Sequence, residues 1–196
     1  FTIKHSRIAV SSLVPMKLRN AIILASLIAA ATGMAMADST APLETVAHVD
    51  LGRYIGRWFE IARYPNRFQR NCDRDVTAEY SIKTNGNIRV VNACFTAAGK
   101  IEKAEGTAKI VVPSTNARLK VSFFWPFYGN YWIIGLDEQY QYAVIGEPSR
   151  RYLWILSRSP AMLDSTYQEL LRLVTAKGYE PQKLVRTTQT AAATPK

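Results

Sequence analysis

Three features of the chain predict an all-β fold, an eight-stranded antiparallel up-and-down barrel with one C-terminal α-helix packed on its outside. Eight short segments of alternating apolar and polar residues recur between residues 56 and 158, separated by turn residues at regular spacing, which is the pattern of an up-and-down barrel or a sandwich. Gly56-Arg57-Trp58-Phe59-Glu60-Ile61 opens the series, and Tyr152-Leu153-Trp154-Ile155-Leu156-Ser157-Arg158 closes it and looks built to meet the first. A single amphipathic stretch follows, with Tyr167, Leu170, Leu171 and Val174 at helical spacing on one stripe, and such a stripe must lie on something.

The front of the chain is not barrel. Residues 1–15 begin with Phe1 and precede Met16, and are read as upstream sequence or a misassigned start. Lys17 and Arg19, an uncharged run from Ala21 to Ala31, and Ala35-Met36-Ala37 form the charged, apolar and A-x-A parts of a secretory signal. Residues 16–37 are therefore a predicted signal peptide, cleaved after Ala37. An uncleaved membrane anchor is the competing reading, but the run is rich in Ala and carries Ser, Thr and Gly, whereas spanning takes about 20 strongly apolar residues. A lipoprotein signal would place a cysteine just after the run; none is there. Residues 38–48 read as a flexible lead-in, 49–190 as the barrel domain and 191–196 as a tail.

Within the domain, Asp50 is placed to cap one short helical turn of 3-10 type that delivers the chain to Gly56. Trp58 to Tyr64 is the first strand, ended by Pro65-Asn66 and followed by a polar loop with Phe68. Asp75 to Lys83 alternates with Val76, Ala78, Tyr80 and Ile82 on one face, and Asn85-Gly86-Asn87 turns it into Ile88–Phe95 because Asn and Gly tolerate positive φ. Glu102–Val112, Ala117–Trp125, Tyr131–Leu136, Tyr140–Ile145 and Tyr152–Arg158 complete the eight. Asp164 or Ser165 caps the helix, which stops at Gly178 and Pro181. Leu184–Gln189 could add a last strand.

Charge and chemistry narrow the function. The formal charge is +10, but residues 1–37 hold four basic and no acidic side chains, so the remainder is +6. That excess favours anionic partners such as phospholipid headgroups, though scattered arginines are more often simply solvated. The only cysteines, Cys72 and Cys94, are expected to pair, because two lone cysteines in an exported protein usually do; Cys72 precedes the second strand and can fold back from its loop. A single histidine, His48, remains after residue 37, with no G-x-S-x-G elbow, metal-ligand cluster or phosphate loop. Glu60, Glu79 and Asp137 have no evident pairing. The expectation is a protein that is not an enzyme and uses no metal, cofactor or nucleic-acid partner.

Gly56-Arg57-Trp58, Leu136-Asp137 with Tyr140 and Tyr142, and Arg158 after an aliphatic strand resemble the three short conserved regions of the lipocalins. Ile61-Ala62-Arg63-Tyr64-Pro65-Asn66, Leu119-Lys120-Val121-Ser122-Phe123-Phe124, Tyr131-Trp132-Ile133-Ile134 and Gly146-Glu147-Pro148 through Ser159-Pro160 are similar to the bacterial Blc-type lipocalins, with apolipoprotein D and the plant temperature-induced lipocalins as relatives. The resemblance spans Val49 to Thr187. It implies a barrel closed at one end that holds a hydrophobic ligand, with Gly56, Trp58, Asp137 and Arg158 structural and Arg158 lying over the ring of Trp58. The missing lipidation cysteine is a departure from the Blc pattern.

Parity along each strand, together with ligand-lining positions of the relatives, selects Val76, Ala78, Tyr80, Val90, Asn92, Val121, Phe123, Trp125, Tyr131, Ile133, Tyr142, Val144, Trp154 and Leu156 as cavity-facing. Aromatic and aliphatic walls with a few polar tips are how apolar-ligand sites are built; plain core packing is the alternative for any one of them. Arg67, Phe68, Arg70 and Arg74 frame the mouth, where they meet an anionic headgroup, dock on an anionic membrane surface, or are only solvated loop residues. The expected ligand is a fatty acid or lysophospholipid, carried or stored for envelope lipid maintenance by a periplasmic protein, outer-membrane associated or not, monomeric or homodimeric. A barrel filled by its own aromatics that docks on a membrane or partner is the alternative, and an enzyme on the same scaffold a third.

Overall fold

The computed structural model describes residues 41–192. The expected upstream segment and signal peptide, and most of the tail, lie outside the described residues. Asp50 accepts from the backbone N–H groups of Gly52 and Arg53 and caps α1 (Leu51–Tyr54), an α-helical rather than 3-10 turn. Eight strands follow: β1 (Gly56–Arg63), β2 (Arg74–Ile82), β3 (Ile88–Phe95), β4 (Ile101–Ile110), β5 (Arg118–Phe124), β6 (Phe127–Leu136), β7 (Tyr142–Gly146) and β8 (Leu153–Ser157). Each pairs antiparallel with its neighbour, and β1 pairs with both β8 and β2, so the sheet closes into a barrel. A two-residue β9 (Val185–Arg186) adds to the upper part of β1.

The main helix after the barrel is α2 (Asp164–Ala176), capped at Lys177 and followed by Gly178, which has a φ of +78°. Neither predicted cap holds: Asp164 already lies inside the helix, and Leu163 at the boundary makes no side-chain cap bond. Leu170 and Val174 are buried in an outer cluster with Ile61, Ile134, Val144, Leu153 and Ile155. Each such side chain contributes about 1.5–3 kcal/mol by leaving water.

Segment 41–48 is not the flexible lead-in expected from its small and polar residues. Leu43 is buried in the outer cluster, Val46 donates its N–H to the carbonyl of Ile133 (3.0 Å), and Arg150 reaches the carbonyl of Ala41. Two apolar anchors spaced along an otherwise polar stretch are enough to order it, and they leave no periodic signal. Cys72 and Cys94 are disulfide-bonded, with Cα atoms 5.5 Å apart. The N–H of Asp73 donates to the carbonyl of Phe95, so the loop folds back onto the end of β3 as the pairing requires.

Antiparallel alternation puts the β2–β3, β4–β5 and β6–β7 turns at one end with α1, and the β1–β2, β3–β4, β5–β6 and β7–β8 connections at the other. The first end is closed. Trp58 is fully buried and donates Nε1 to the carbonyl of Tyr54 (2.8 Å), and the Arg158 guanidinium lies 3.9 Å from its ring centroid, a cation–π contact of about 1–2 kcal/mol. Gly56 holds a φ of +95°, and a side chain there would meet Arg158. Asp137 accepts from the N–H groups of Gln139 and Gln141 and ties the β6–β7 turn. Gly56, Trp58, Asp137 and Arg158 therefore lie together at the closed base.

Candidate ligand cup

From the base upward, the inner wall changes character. Trp58, Ile88, Val90, Ala108, Leu119, Ile133, Ala143, Ile145 and Leu156 form a buried inner cluster. Above them the hydroxyl of Tyr131 lies 2.7 Å from that of Tyr54 and 2.9 Å from that of Tyr80. Burial raises all three tyrosine pKa values, that of Tyr80 to about 12, so the trio stays protonated through the neutral range. It gives the cup a polar but uncharged floor.

Higher still, residues with inward parity are only partly covered. Ala78, Asn92, Val121 and Trp154 are intermediate in exposure, and Phe123 is 41% exposed. In a closed barrel an inward side chain meets solvent only if the space it faces is not filled by other side chains. Phe123 lies flat on Gly106, where a Cβ would stand 2.8 Å from its ring and 2.6 Å from the Ser122 carbonyl; glycine at 106 makes room for the ring. Among the described residues Asn92 Oδ1 and Ser122 Oγ are buried side-chain polar atoms without a hydrogen-bond partner. An unmade bond of this kind costs about 1–3 kcal/mol.

Of the residues expected to face the cavity, Ala78, Tyr80, Val90, Val121, Tyr131, Ile133, Trp154 and Leu156 belong to the inner cluster or pack against it. Val76 is buried, with its carbonyl accepting from Gln189. Three residues are misplaced by parity. Tyr142 and Val144 lie on the outer face beneath α2, because Ile133 faces Ile145 and the inward residues of β7 are Ala143 and Ile145. Trp125 sits at the β5–β6 tip, 79% exposed, beside Phe124 at 77% and Phe127 at 72%. A register shift between Val121 and Phe124 breaks the alternation there.

At the mouth, Arg67 lies over the ring of Phe68, Arg74 over that of Phe95, and Arg70 is exposed. The Phe68 ring packs against Tyr152 (5.6 Å between centroids), which stacks on Trp154 (6.0 Å). Tyr152 and Trp154 are delivered by a turn built on Glu147, whose carboxylate accepts from the N–H groups of Ser149, Arg151 and Tyr152.

A polar cluster in the same wall escaped the sequence reading. Glu60, 3% exposed, accepts from Arg63 Nη1 (2.6 Å), Thr187 Oγ1 (2.5 Å) and Gln69 Nε2 (2.6 Å). A bulge in β1 between Glu60 and Ala62 lets Glu60, opposite Leu156, and Arg63, opposite Trp154, share the inward face. Simple alternation puts them on opposite faces. β1 and β2 pair only over their lower halves, and the amide of Gln189 bridges the gap above by donating to the carbonyls of Glu60 and Val76.

No nucleophilic pair is assembled from the cysteines. His48 lies beside the Ser114 carbonyl at the closed end, and both thiols are consumed in the disulfide.

Comparison with known proteins adds sequence and fold likeness. Residues 49–189 match the model of a lipocalin-like domain. The chain is 40% identical over 173 residues to the outer membrane lipoprotein Blc of Citrobacter freundii, covering 87% of this chain and 97% of that protein. It is 41% identical over 155 residues to temperature-induced lipocalin-1 of Arabidopsis thaliana, covering 75% and 83%. Insecticyanin from the tobacco hornworm Manduca sexta superposes with a TM-score of 0.63 at 20% identity, covering 78% and 87%, and is alike in fold.

Proposed function

Since the chain belongs to the lipocalin family, whose members bind small hydrophobic ligands, we propose that it is an exported, non-enzymatic carrier or store for a single-chain lipid used in envelope maintenance. The observation that carries this reading is the partly exposed inner wall of Asn92, Val121, Phe123 and Trp154 above a filled base. A fatty acid and a lysophospholipid both fit an apolar wall. Asn92 offers either ligand a partner, its Oδ1 accepting from a glycerol hydroxyl and its Nδ2 donating to a carboxylate. Likeness to the Blc lipoproteins supports an envelope location, periplasmic or at the outer membrane.

Titration with palmitate and with palmitoyl lysophospholipid, read by tryptophan fluorescence and native mass spectrometry, tests this. Quenching with one bound lipid per barrel is expected, and Trp154→Ala should weaken binding about tenfold or more through lost contact area. Absence of quenching and of co-purified lipid, with no effect of Trp154→Ala, defeats the carrier.

The β5–β6 tip favours a second reading, contact with an anionic membrane at the mouth. Phe124, Trp125 and Phe127 are exposed together, Lys109 lies over Tyr128, and Lys120 is exposed nearby; exposed aromatics flanked by lysines suit a lipid interface. Sedimentation with vesicles containing phosphatidylglycerol should fall several-fold in Trp125→Ala with Phe127→Ala and leave solution binding of lysophospholipid intact. Equal sedimentation of variant and wild type refutes the contact.

A further inference from the structure

Gln69 lies in the one-turn 3-10 helix Arg67–Gln69 of the β1–β2 loop, yet its side chain belongs to the cup. Its Oε1 accepts from Trp154 Nε1 (2.9 Å) and Asn66 Nδ2 (2.8 Å), and its Nε2 donates to Glu60 Oε2 (2.6 Å). A carboxylate only accepts and an indole N–H only donates, so the amide can sit only one way round. Its carboxylate partner is fixed in turn by Arg63 and Thr187. The Cys72–Cys94 disulfide and the Asp73 N–H on the Phe95 carbonyl tie the far end of the loop to β3, whereas its Arg67–Gln69 turn has two holds on Trp154, the Gln69 amide on the indole N–H and the Phe68 ring on Tyr152, which is itself stacked on Trp154.

Both holds converge on one indole. We propose that Gln69 is a positioning residue that joins the β1–β2 loop to the Trp154 indole, so that closure of the loop over the mouth sets how long a lipid stays in the cup. The kinetic part rests on the carrier reading above. A lipid in contact with the indole face lies under a loop hung from the indole edge. To leave, it must move a loop whose anchor is half-buried against the indole.

Two substitutions in the full chain separate this from a general loss of structure. Gln69→Met keeps the volume and removes every side-chain hydrogen bond of residue 69 while its backbone bonds to Asn66 and Cys72 remain. In ligand-free protein the Trp154 indole N–H, identified by the cross-peak missing in Trp154→Phe, should exchange with solvent about tenfold faster, the factor expected for a net hydrogen bond of ordinary strength. In stopped-flow displacement of dansyl-undecanoic acid by palmitoyl lysophosphatidylcholine, dissociation should accelerate about five- to tenfold and association change less than about twofold.

Gln69→Glu sets a second carboxylate against Glu60, with Arg63 on β1 the other charged group of the network, while β8 contributes Trp154 and the C-terminal segment Thr187. At neutral pH the two carboxylates repel. On acidification the introduced carboxyl takes up a proton, and the protonated side chain donates to Glu60 while its carbonyl accepts from Trp154. Dissociation should then slow back toward the wild-type rate, with no such recovery in Gln69→Met. Unchanged indole exchange or unchanged dissociation in Gln69→Met, or association and dissociation accelerated by the same factor, overturns the proposal. Failure of the wild type to bind either probe defeats the carrier reading instead, and the indole exchange rate alone then decides whether Gln69 holds the loop.

Discussion

Arg158→Met is expected to lower the unfolding free energy by about 2–5 kcal/mol and leave ligand preference unchanged. The guanidinium donates to the carbonyls of Arg53, Tyr54, Ile55 and Arg57, all within 3.0 Å, and more weakly to that of Tyr140. It thereby ties α1, the start of β1 and the β6–β7 turn into one floor. The carbonyls of Arg53 and Arg57 are exposed enough for water to replace the lost donor, and that of Tyr54 keeps its bond from Trp58 Nε1, so the penalty falls mainly on Ile55, at about 1–3 kcal/mol. Loss of the contact over Trp58 adds about 1–2 kcal/mol. For a domain of this size the melting temperature should drop by roughly 10 °C or more.

Trp58→Phe keeps a ring under the guanidinium and loses chiefly the bond to Tyr54, so about 1–2 kcal/mol is expected. Urea unfolding alongside lysophospholipid titration reads both effects. Because Arg158 touches the base and the partly exposed wall lies above it, an unchanged melting temperature with abolished lipid binding in Arg158→Met contradicts this division of the barrel.

The base was legible in sequence because it is made of chemically singular residues. Gly56 and Trp58 sit two positions apart on one strand, Arg158 ends another, and only a barrel that closes on itself brings the two together. Strand existence was legible from turn chemistry: Asn85-Gly86-Asn87 fixed β3 at Ile88–Phe95 to the residue. Strand phase was less so. A shift of one residue in pairing moves every side chain to the other face, and the Asp137–Gln141 turn does not reveal which residue of β7 opposes Ile133, so Val144 was placed inside and Ile145 was missed. Bulges are quieter still. The register shifts in β1 and β5 insert single residues without glycine or proline to announce them, and each falls at the mouth, where Glu60, Arg63 and Trp125 depart from alternation.

The largest consequence of the β1 bulge is energetic. Glu60→Ala is expected to cost about 3–5 kcal/mol, because it leaves the Arg63 guanidinium charged in the wall without its carboxylate. The Arg63 side chain is 14% exposed, and its remaining acceptors are Thr187 Oγ1 and, weakly, the Cys72 carbonyl. Neither carries a charge. Arg63→Met strands Glu60 in the opposite sense, though Gln69 and Thr187 still donate to it, so a smaller loss of about 2–3 kcal/mol is expected. The double variant removes both charges and replaces part of the network with apolar surface, a change that is often neutral or stabilising relative to either single one. Its cost should therefore fall below the sum of the singles by about 1–3 kcal/mol in a double-mutant cycle from urea unfolding. Thr187 loses its carboxylate partner with Glu60, so amide exchange in Val185–Gln189 should quicken in Glu60→Ala before global unfolding. Strict additivity, or a C-terminal segment protected as in the wild type, would show that Glu60 and Arg63 act independently and that the gap between β1 and β2 is held by the backbone alone.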